Sequence, residues 1–338
     1  MHKFLAPLLL ATITSLSPAL QAGLFDQEEP LEIEIQADFY QLEIERKKAK
    51  KYPGVLTIDQ HQLPIELNVR GNHRLQKDTC RFSPLKVDFK KSPARKQTLF
   101  HKEGDLKLVV LCRKNSSYYD YLRTEYLAYK MLNAMTPISY RVRWVNVTYK
   151  TKDKILEQRP AFFVEHKKRV AKRNGLGLDQ PDKPPGYSDL DPEQAALLEQ
   201  FQYFLGNTDY SLLRSSDRDD CCHNAKLLSG ENNYVPIIYD FDATGMVNAS
   251  YASPPAQFKI RTVLKRYFRG RCHEPSAMQS TRERILGAKE NILAMVTSDT
   301  ELSKKGVRRA LRYTKASFKH FESDKIWTKD IVDTCREV

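Results

Sequence analysis

Polar residues that suit metal and phosphate chemistry fall at three places between residues 201 and 245. Asp209 follows an apolar segment with a helical pattern, and Asn224 precedes a short β-rich segment. Asp240 and Asp242 come directly after a second apolar run that predicts a buried strand. The end of a strand holds carboxylates rigidly, as divalent cations and phosphoryl transfer both require. We therefore expect these four residues to form one site.

Each of these residue types suits one role in such a site. Asp209 can accept the proton of a substrate hydroxyl, which is the work of a general base. Asn224 and Asp240 offer oxygen ligands for Mg²⁺, and Asp242 adds a second charge beside them. The sequence contains no G-x-x-x-x-G-K-[ST] loop, no H-E-x-x-H motif and no G-x-S-x-G motif. P-loop nucleotide-binding proteins, zinc metalloproteases and serine hydrolases, which carry these three motifs in that order, are therefore not indicated.

The segments that must position this site are β-rich first and helical later. Alternating apolar and polar residues between residues 31 and 114 predict a mainly antiparallel sheet. A helical repeat predicts a helix over Tyr118–Met135, and Asp191 followed by proline marks the start of another helix. Two further helices are expected over Thr281–Val296 and Ser303–Phe321. The pattern indicates a β-rich first part and a helical second part.

The first 22 residues have the features of a secretory signal peptide. Lys3 precedes an apolar run that is shorter than the ~20 residues of a transmembrane helix. Leu20-Gln21-Ala22 then supplies a cleavage site. No later stretch of the sequence is apolar enough to cross a bilayer. We therefore expect an exported chain, periplasmic or secreted, without a transmembrane segment.

The sequence contains six cysteines, an even number that favours disulfides in an exported protein. Several pairings remain open, of which Cys80 with Cys112 and Cys272 with Cys335 are examples. A zinc site around the adjacent Cys221 and Cys222 is less favoured, because the sequence lacks the C-x-x-C spacing of such sites.

The formal net charge of +13 favours anionic partners. Acidic proteins, phosphorylated or acidic glycans and acidic lipids all belong to this class, and nucleic acid is not the expected partner. A basic surface also keeps proteins in solution. The charge therefore selects a class of partner without identifying it.

A series of short motifs occurs in a fixed order along the chain. The motifs are RGN at 70–72, Lys86, the helix around Glu125, FFVEHKKRV at 162–170, GNTDY at 206–210, HN at 223–224 and YDFD at 239–242. Together they resemble the CotH-type spore-coat kinases, divergent members of the protein-kinase-like superfamily, over roughly residues 67–245. The last three motifs are also similar to the catalytic core of HipA-type kinases.

This resemblance implies a fold, a reaction and two cofactors. The fold would be α+β, bilobal and protein-kinase-like, with a β-rich N-lobe at residues 23–162 and a mainly helical C-lobe at 163–338, after a signal peptide at 1–22. The chain would transfer phosphate from ATP with Mg²⁺ to an acidic protein or an envelope glycan. Asp209 would be the acidic residue of the catalytic loop, and the metal ligands would be Asn224, Asp240 and Asp242.

The resemblance also implies the residues that bind the nucleotide. Lys86 would contact the phosphates and would be oriented by Glu125, while Glu165 would mark the hinge between the lobes. Lys107 lies on the next predicted strand and is the alternative to Lys86.

One departure from the family leaves the function open. The stretch 210–222 carries the insert RSSDRDDCC between Asp209 and Asn224. If the insert displaces Asn224, metal binding fails, and the chain is a catalytically inactive protein that binds anionic envelope components through its basic surface. The basic residues then expected to matter are Lys167, Lys168, Arg169, Lys172 and Arg173. A third hypothesis is a hydrolase that uses Asp209 and Asp240 as metal-assisted acids.

Overall fold

The computed structural model describes residues 22–48, 50–71, 73–90, 92–152, 154–181, 183, 185–213 and 221–337. Residues 1–21 of the expected signal peptide lie outside the described residues. Asn72 and residues 214–220 of the insert also lie outside them.

Seven strands form the first sheet. They are β1 (Leu31–Ala37), β2 (Lys51–Ile58), β3 (His61–Val69), β4 (Leu85–Asp88), β5 (Asp105–Val110), β6 (Val142–Thr151) and β7 (Lys154–Val164). The strand order is β1-β2-β3-β4-β5-β7-β6, and the sheet closes into a barrel because β1 also pairs with β6. The β1–β6 pair is parallel, and the other neighbours are antiparallel. Alternate residues of β1, such as Ile33 and Ile35, are buried in the barrel core.

The expected α+β fold, bilobal and protein-kinase-like with a helical C-lobe, is wrong. The strands of the first half close into a mixed barrel of seven strands, and helices with a second small sheet complete the molecule. Closure depends on the parallel pairing that sets Leu31 opposite Val145. The alternation within each segment predicts a strand but does not determine its neighbours, so the sequence pattern did not indicate this long-range pair. The expected boundary at residue 162 falls within β7.

The remaining elements are eight helices and one hairpin within the described residues. The helices are α1 (Phe39–Ile44), α2 (Ser116–Met135), α3 (Lys167–Arg173), α4 (Pro192–Leu205), α5 (Pro275–Gly287), α6 (Lys289–Thr297), α7 (Lys304–Glu322) and α8 (Asp324–Trp327). The hairpin pairs β8 (Ala225–Ser229) with β9 (Tyr234–Ile238). Single helical turns also occur at His73–Leu75, Pro93–Gln97, Tyr187–Asp189, Ala256–Phe258 and Thr328–Val332.

The long helices begin at capping residues that the sequence displays. The Asp191 side chain accepts a hydrogen bond from the backbone of Gln194, and α4 follows with proline at its first position. Ser303 caps α7 in the same way. The helix expected over residues 281–296 is instead two helices, α5 and α6, which meet at Ala288.

Helix α4 organises the core around the candidate site. It is buried along nearly its whole length. The ring of Phe204 packs edge-on against Phe318 of α7, with ring centroids 4.9 Å apart. The ring of Phe201 packs against Phe241, with centroids 5.9 Å apart. Because Phe241 stands between the two aspartates that follow β9, this contact fixes their position against α4.

Two disulfides join distant parts of the chain, as expected from the cysteines. Cys80 pairs with Cys112 and Cys272 pairs with Cys335. The adjacent Cys221 and Cys222 are bonded to each other. Within the described ranges, no helix combines the length and apolar character needed to span a membrane.

Candidate active site

Three polar loops meet where the β8–β9 hairpin ends. Asn224 directly precedes β8, and Asp240 lies two residues after β9. The antiparallel register sets Ala225 opposite Ile238, and the N–H of Tyr239 donates to the carbonyl oxygen of Asn224 at 3.0 Å. The hairpin therefore holds Asn224 and Asp240 side by side. Both residues have positive φ, 51° and 70°, a left-handed conformation that Asn and Asp adopt more readily than most residues.

Asp209 joins this pair although it is 15 positions from Asn224. Asn224 Nδ2 donates to the carbonyl oxygen of Asp209 at 2.8 Å and to its Oδ2 at 3.1 Å. Ser211 and His223 exchange two backbone hydrogen bonds, of 2.9 and 3.0 Å. This bridge joins the chain on both sides of the insert, so the insert does not displace Asn224 from Asp209.

Asp209 forms a close pair with His223. The Nε2 atom of His223 lies 2.7 Å from Asp209 Oδ1, and both side chains are partly exposed. The hydrogen bond to Asp209 raises the pKa of His223, although burial of the ring opposes the shift. Since Oδ2 already accepts from Asn224, both carboxylate oxygens of Asp209 are held in place.

The two aspartates after β9 are anchored by tyrosines. The N–H of Asp240 donates to the hydroxyl of Tyr129 on α2 at 2.8 Å. The hydroxyl of Tyr251 donates to Oδ2 of Asp242 at 3.1 Å. Burial, and then the neighbouring Asp240, raise the pKa of Asp242 to about 7. A cation bound between the two carboxylates would relieve this repulsion.

A partly buried arginine balances part of this negative charge. Arg74 Nη1 lies 3.7 Å from Asp242 Oδ2 and 3.7 Å from Glu125 Oε2. Burial raises the pKa of Glu125 well above its usual range, although Arg74 opposes the shift. Burial also opposes the charge of Arg74, but the acidic groups around it, first Tyr251 and then Asp242, raise its pKa. The expected contact of Glu125 with Lys86 is replaced by this contact with Arg74.

Lys107 on β5 reaches the site from the barrel. Its Nζ lies 3.4 Å from the centroid of the Tyr239 ring, which is a cation–π contact. Burial, and then the nearby Arg70, lower the pKa of Lys107 to about 7. Lys107 is therefore a desolvated amine that would gain from an anionic ligand.

Lys86 and Glu165 are not brought to the cavity. Lys86 stands opposite Lys107 in the β4–β5 pair, on the same face but one strand further out, where its Nζ lies 2.7 Å from Asp105. Glu165 is buried and accepts from Arg173 Nη2 at 3.0 Å and from the N–H of Arg141 at 3.0 Å. The structure thus places Lys107 rather than Lys86 at the acids, and Glu165 in a contact that joins α3 to the start of β6.

The site residues line one cavity of about 570 Å³. Its polar lining includes Arg70, Arg74, Lys107, Glu125, Asp209, His223, Asn224, Asp240 and Asp242. A cavity of this size is in the range of small-molecule sites, roughly 300–1,000 Å³. The combination of basic groups and oxygen donors in one cavity suits a phosphorylated ligand together with a cation.

The oxygen donors of this cavity are of the kind that hard cations such as Mg²⁺ prefer. Among the described residues, no three His, Cys, Asp or Glu side chains cluster as metal ligands. The available donors are the carboxylates of Asp240 and Asp242 and the amide oxygen of Asn224. Magnesium sites commonly use one or two carboxylates and complete their shell with water and substrate phosphates.

Sequence reasoning missed several residues of this cavity, and some left a signal. Arg74 lies just beyond the RGN motif, and His223 is the first residue of the HN motif. Tyr129 lies within the helix predicted over Tyr118–Met135, but the helical repeat does not indicate a role in the site. Its hydrogen bond to Asp240 depends on how α2 packs against the β9 loop, which no local pattern indicates.

The basic surface expected on α3 is smaller than the sequence indicated. Arg169 is paired with Glu103 and Arg173 with Glu165, which leaves Lys168 and Lys172 as its exposed cations. Because those arginines hold buried acids, reversing their charge would disturb the fold as well as the surface.

No known family model matches the chain, and no curated protein matches its sequence. The resemblance to CotH-type kinases stays a prediction that rests on short motifs. The function is therefore inferred from the geometry of the site.

Proposed function

We propose that this chain is an exported phosphotransferase that moves the terminal phosphoryl group of ATP, with Mg²⁺, to a hydroxyl of an acidic protein or envelope glycan. The observation that carries this proposal is the convergence of Asp209, Asn224 and Asp240 on one cavity that Lys107 also lines. A positioning acid, oxygen ligands for a cation and a lysine near the phosphates are the parts that phosphoryl transfer requires.

In the proposed reaction, the acceptor hydroxyl oxygen attacks the γ-phosphorus of ATP. The new P–O bond forms as the bond to the β,γ-bridging oxygen breaks, the hydroxyl proton passes to Asp209, and ADP leaves. His223 and Asn224 hold the two carboxylate oxygens of Asp209, so the acid is already oriented when the acceptor arrives. The partial exposure of Asp209 leaves room for that approach.

The remaining side chains bind and orient the phosphates. Asn224, Asp240 and Asp242 would hold Mg²⁺, which neutralises charge on the phosphate oxygens when it is bound. Lys107 would contact phosphate oxygens from the barrel side, and this contact favours the charged form of its amine. Arg74 keeps Glu125 and Asp242 in place through its two ion pairs.

Export is supported by the two disulfides, because such bonds persist in oxidising compartments. The positive net charge of +13 supports an anionic acceptor. The acceptor class and the compartment both belong to the proposal.

Thermal unfolding with nucleotides tests the proposal directly. ATP with Mg²⁺ should raise the unfolding temperature of the purified protein, and Asp240→Ala should abolish the increase because a ligand of the cation is lost. Asp209→Asn should keep the increase but lose phosphoryl transfer by at least about 100-fold, since only proton acceptance is removed. Lys86→Ala is the matched control and should change neither, because Lys86 lies outside the cavity. Stabilisation that persists in Asp240→Ala would contradict the proposal.

A further inference from the structure

A basic segment, residues 256–265, follows the part of the chain that lines the candidate cavity, and most of its residues are exposed. Upstream of it, Tyr251, Ala252 and Ser253 line the cavity itself. Within it, Val263 is buried and its carbonyl oxygen lies against Gly206 and Gly245, the glycines that border the Asp209 and Asp240 loops. The segment is therefore in contact with the backbone of both reactive loops.

The residues after the basic segment attach it to the loop of Asp209. Arg269 Nη1 donates to the carbonyl oxygens of Thr208 and Tyr210, the two neighbours of Asp209 in sequence. Arg266 Nη2 donates to the carbonyl oxygen of Tyr313 on α7 at 3.0 Å. The position of the segment relative to Asp209 is fixed by these contacts with a rigid part of the core.

The exposed side chains of the basic segment include three cations. Lys259, Arg261 and Lys265 are exposed, and none of them forms an ion pair within the part of the chain that the structure describes. Leu264 is 47% exposed between them, and Tyr267 just beyond is 41% exposed. An exposed surface that alternates cations with an aliphatic and an aromatic side chain is matched by a peptide with acidic and apolar residues.

We infer that the basic segment is the docking surface for the acceptor, and that the acceptor is an acidic peptide segment whose hydroxyl residue reaches Asp209. This inference rests on the proposed function, because it names the substrate class of the same site. A peptide is favoured over a glycan because Leu264 offers an aliphatic contact that a sugar hydroxyl surface would not use. Charge and position together make this segment, rather than the whole basic surface, the recognition site.

Helix α7 provides a matched control for the effect of charge alone. Lys304, Lys305 and Arg308 are exposed on it and form no ion pair with another described residue. The triple change K304E/K305E/R308E therefore alters the net charge by as much as K259E/R261E/K265E, but away from the Asp209 loop contacts.

The experiment uses a peptide with one serine among Glu and Leu residues, and a second peptide in which Gln replaces each Glu. Phosphoryl transfer to both peptides and the binding of their fluorescent forms are measured for the unaltered protein and for the two triple variants. K259E/R261E/K265E should raise the KM and the Kd for the acidic peptide by about tenfold or more, while ATP hydrolysis without peptide is unchanged. The α7 variant should stay within about twofold of the unaltered protein.

Three results would overturn the inference: equal binding of the Glu and Gln peptides, an equal loss in the α7 variant, or transfer to an acidic glycan with no peptide binding. The peptide-binding measurement does not depend on catalysis. Selective peptide binding without ATP turnover would therefore contradict the proposed function while supporting the docking surface, and ATP turnover without peptide binding would do the reverse.

Discussion

Asp209 is held more firmly than a loop residue usually is. Its Oδ1 contacts His223 and its Oδ2 accepts from Asn224, which is itself an expected ligand of the cation. The proposed proton acceptor is thus joined directly to a proposed ligand of the cation. A change at Asn224 would consequently affect both the orientation of Asp209 and the affinity for the cation.

The affinity for ATP should depend on pH through Lys107, whose pKa is lowered to about 7 by burial and then by Arg70. The amine is charged below pH 7 and neutral above it, and phosphate oxygens favour the charged form. Above pH 7 the affinity should therefore fall by up to about tenfold per pH unit, until the pKa of the bound lysine is reached.

Lys107→Arg is the control for that pH dependence, because a guanidinium stays charged throughout this range. Its ATP dissociation constant, measured by calorimetry between about pH 6 and 9, should lack the alkaline increase that Lys107 produces. The same slope in Lys107→Arg and in the unaltered protein would show that another group is responsible.

The choice between the two lysines shows what the sequence could and could not predict at this scale. Lys86 and Lys107 both alternate with buried residues and occupy the same face of the sheet. Only the strand order separates them: β5 pairs with β7, next to the cavity, whereas β4 lies one strand further away. Strand order is a tertiary property, so the alternation pattern does not determine it.

At the scale of elements, the end of α4 determines where Asp209 stands. Gly206 ends the helix with a φ of +67°, and Asp209 is the third residue after it. A Cβ at this position would meet the hydroxyl of Tyr313 on α7. Both the backbone conformation and the close approach therefore require glycine here.

Gly206→Ala should lower the free energy of unfolding by about 2–4 kcal/mol, because it combines a left-handed backbone with a steric clash. Denaturant unfolding would measure this loss. Adding Tyr313→Phe should recover part of it by removing the clashing oxygen. The phenylalanine itself should cost little, since the Tyr313 hydroxyl has no hydrogen-bond partner among the described residues. No recovery in the double variant would argue against the clash.

The strand and helices next to the site were more predictable than the backbone contacts that hold its loops together. The apolar run before Asp240 predicted β9, the capping residue Asp191 predicted the start of α4, and the expected helix over Ser303–Phe321 matches α7. The backbone bridge between Ser211 and His223 was not predicted, because neither residue has a local signal for pairing across the insert. It is the feature that decided whether Asn224 reaches Asp209.

At the scale of the whole molecule, the barrel has a core of its own, and a second core connects the barrel to the helices. The cluster that contains Phe204 and Phe318 also includes Leu122 of α2, Trp144 of β6 and Phe162 of β7. Residues from both halves of the chain therefore share one packed interior, and we expect them to unfold together.

The two disulfides that join distant parts of the chain should stabilise this single unit. They enclose 32 and 63 residues of chain. Removing either pair, as C80S/C112S or C272S/C335S, should lower the free energy of unfolding by about 4 kcal/mol. Calorimetry should show one transition in both variants, at a lower temperature. Two separate transitions in either variant would show that the barrel and the helices unfold independently.

Closure of the barrel was the main feature that sequence patterns missed, since it depends on a parallel pair between the first and sixth strands. It also has a consequence for how the protein meets other chains. An open sheet presents unpaired N–H and C=O groups along its outer strands, and extended peptides or identical copies can add there as an extra strand. In the described seven-stranded barrel each strand already has two neighbours. Backbone addition is therefore confined to places where a strand runs past one neighbour, such as residues 61–65 of β3 and 154–160 of β7, and these short stretches are the parts of the barrel open to edge-to-edge pairing.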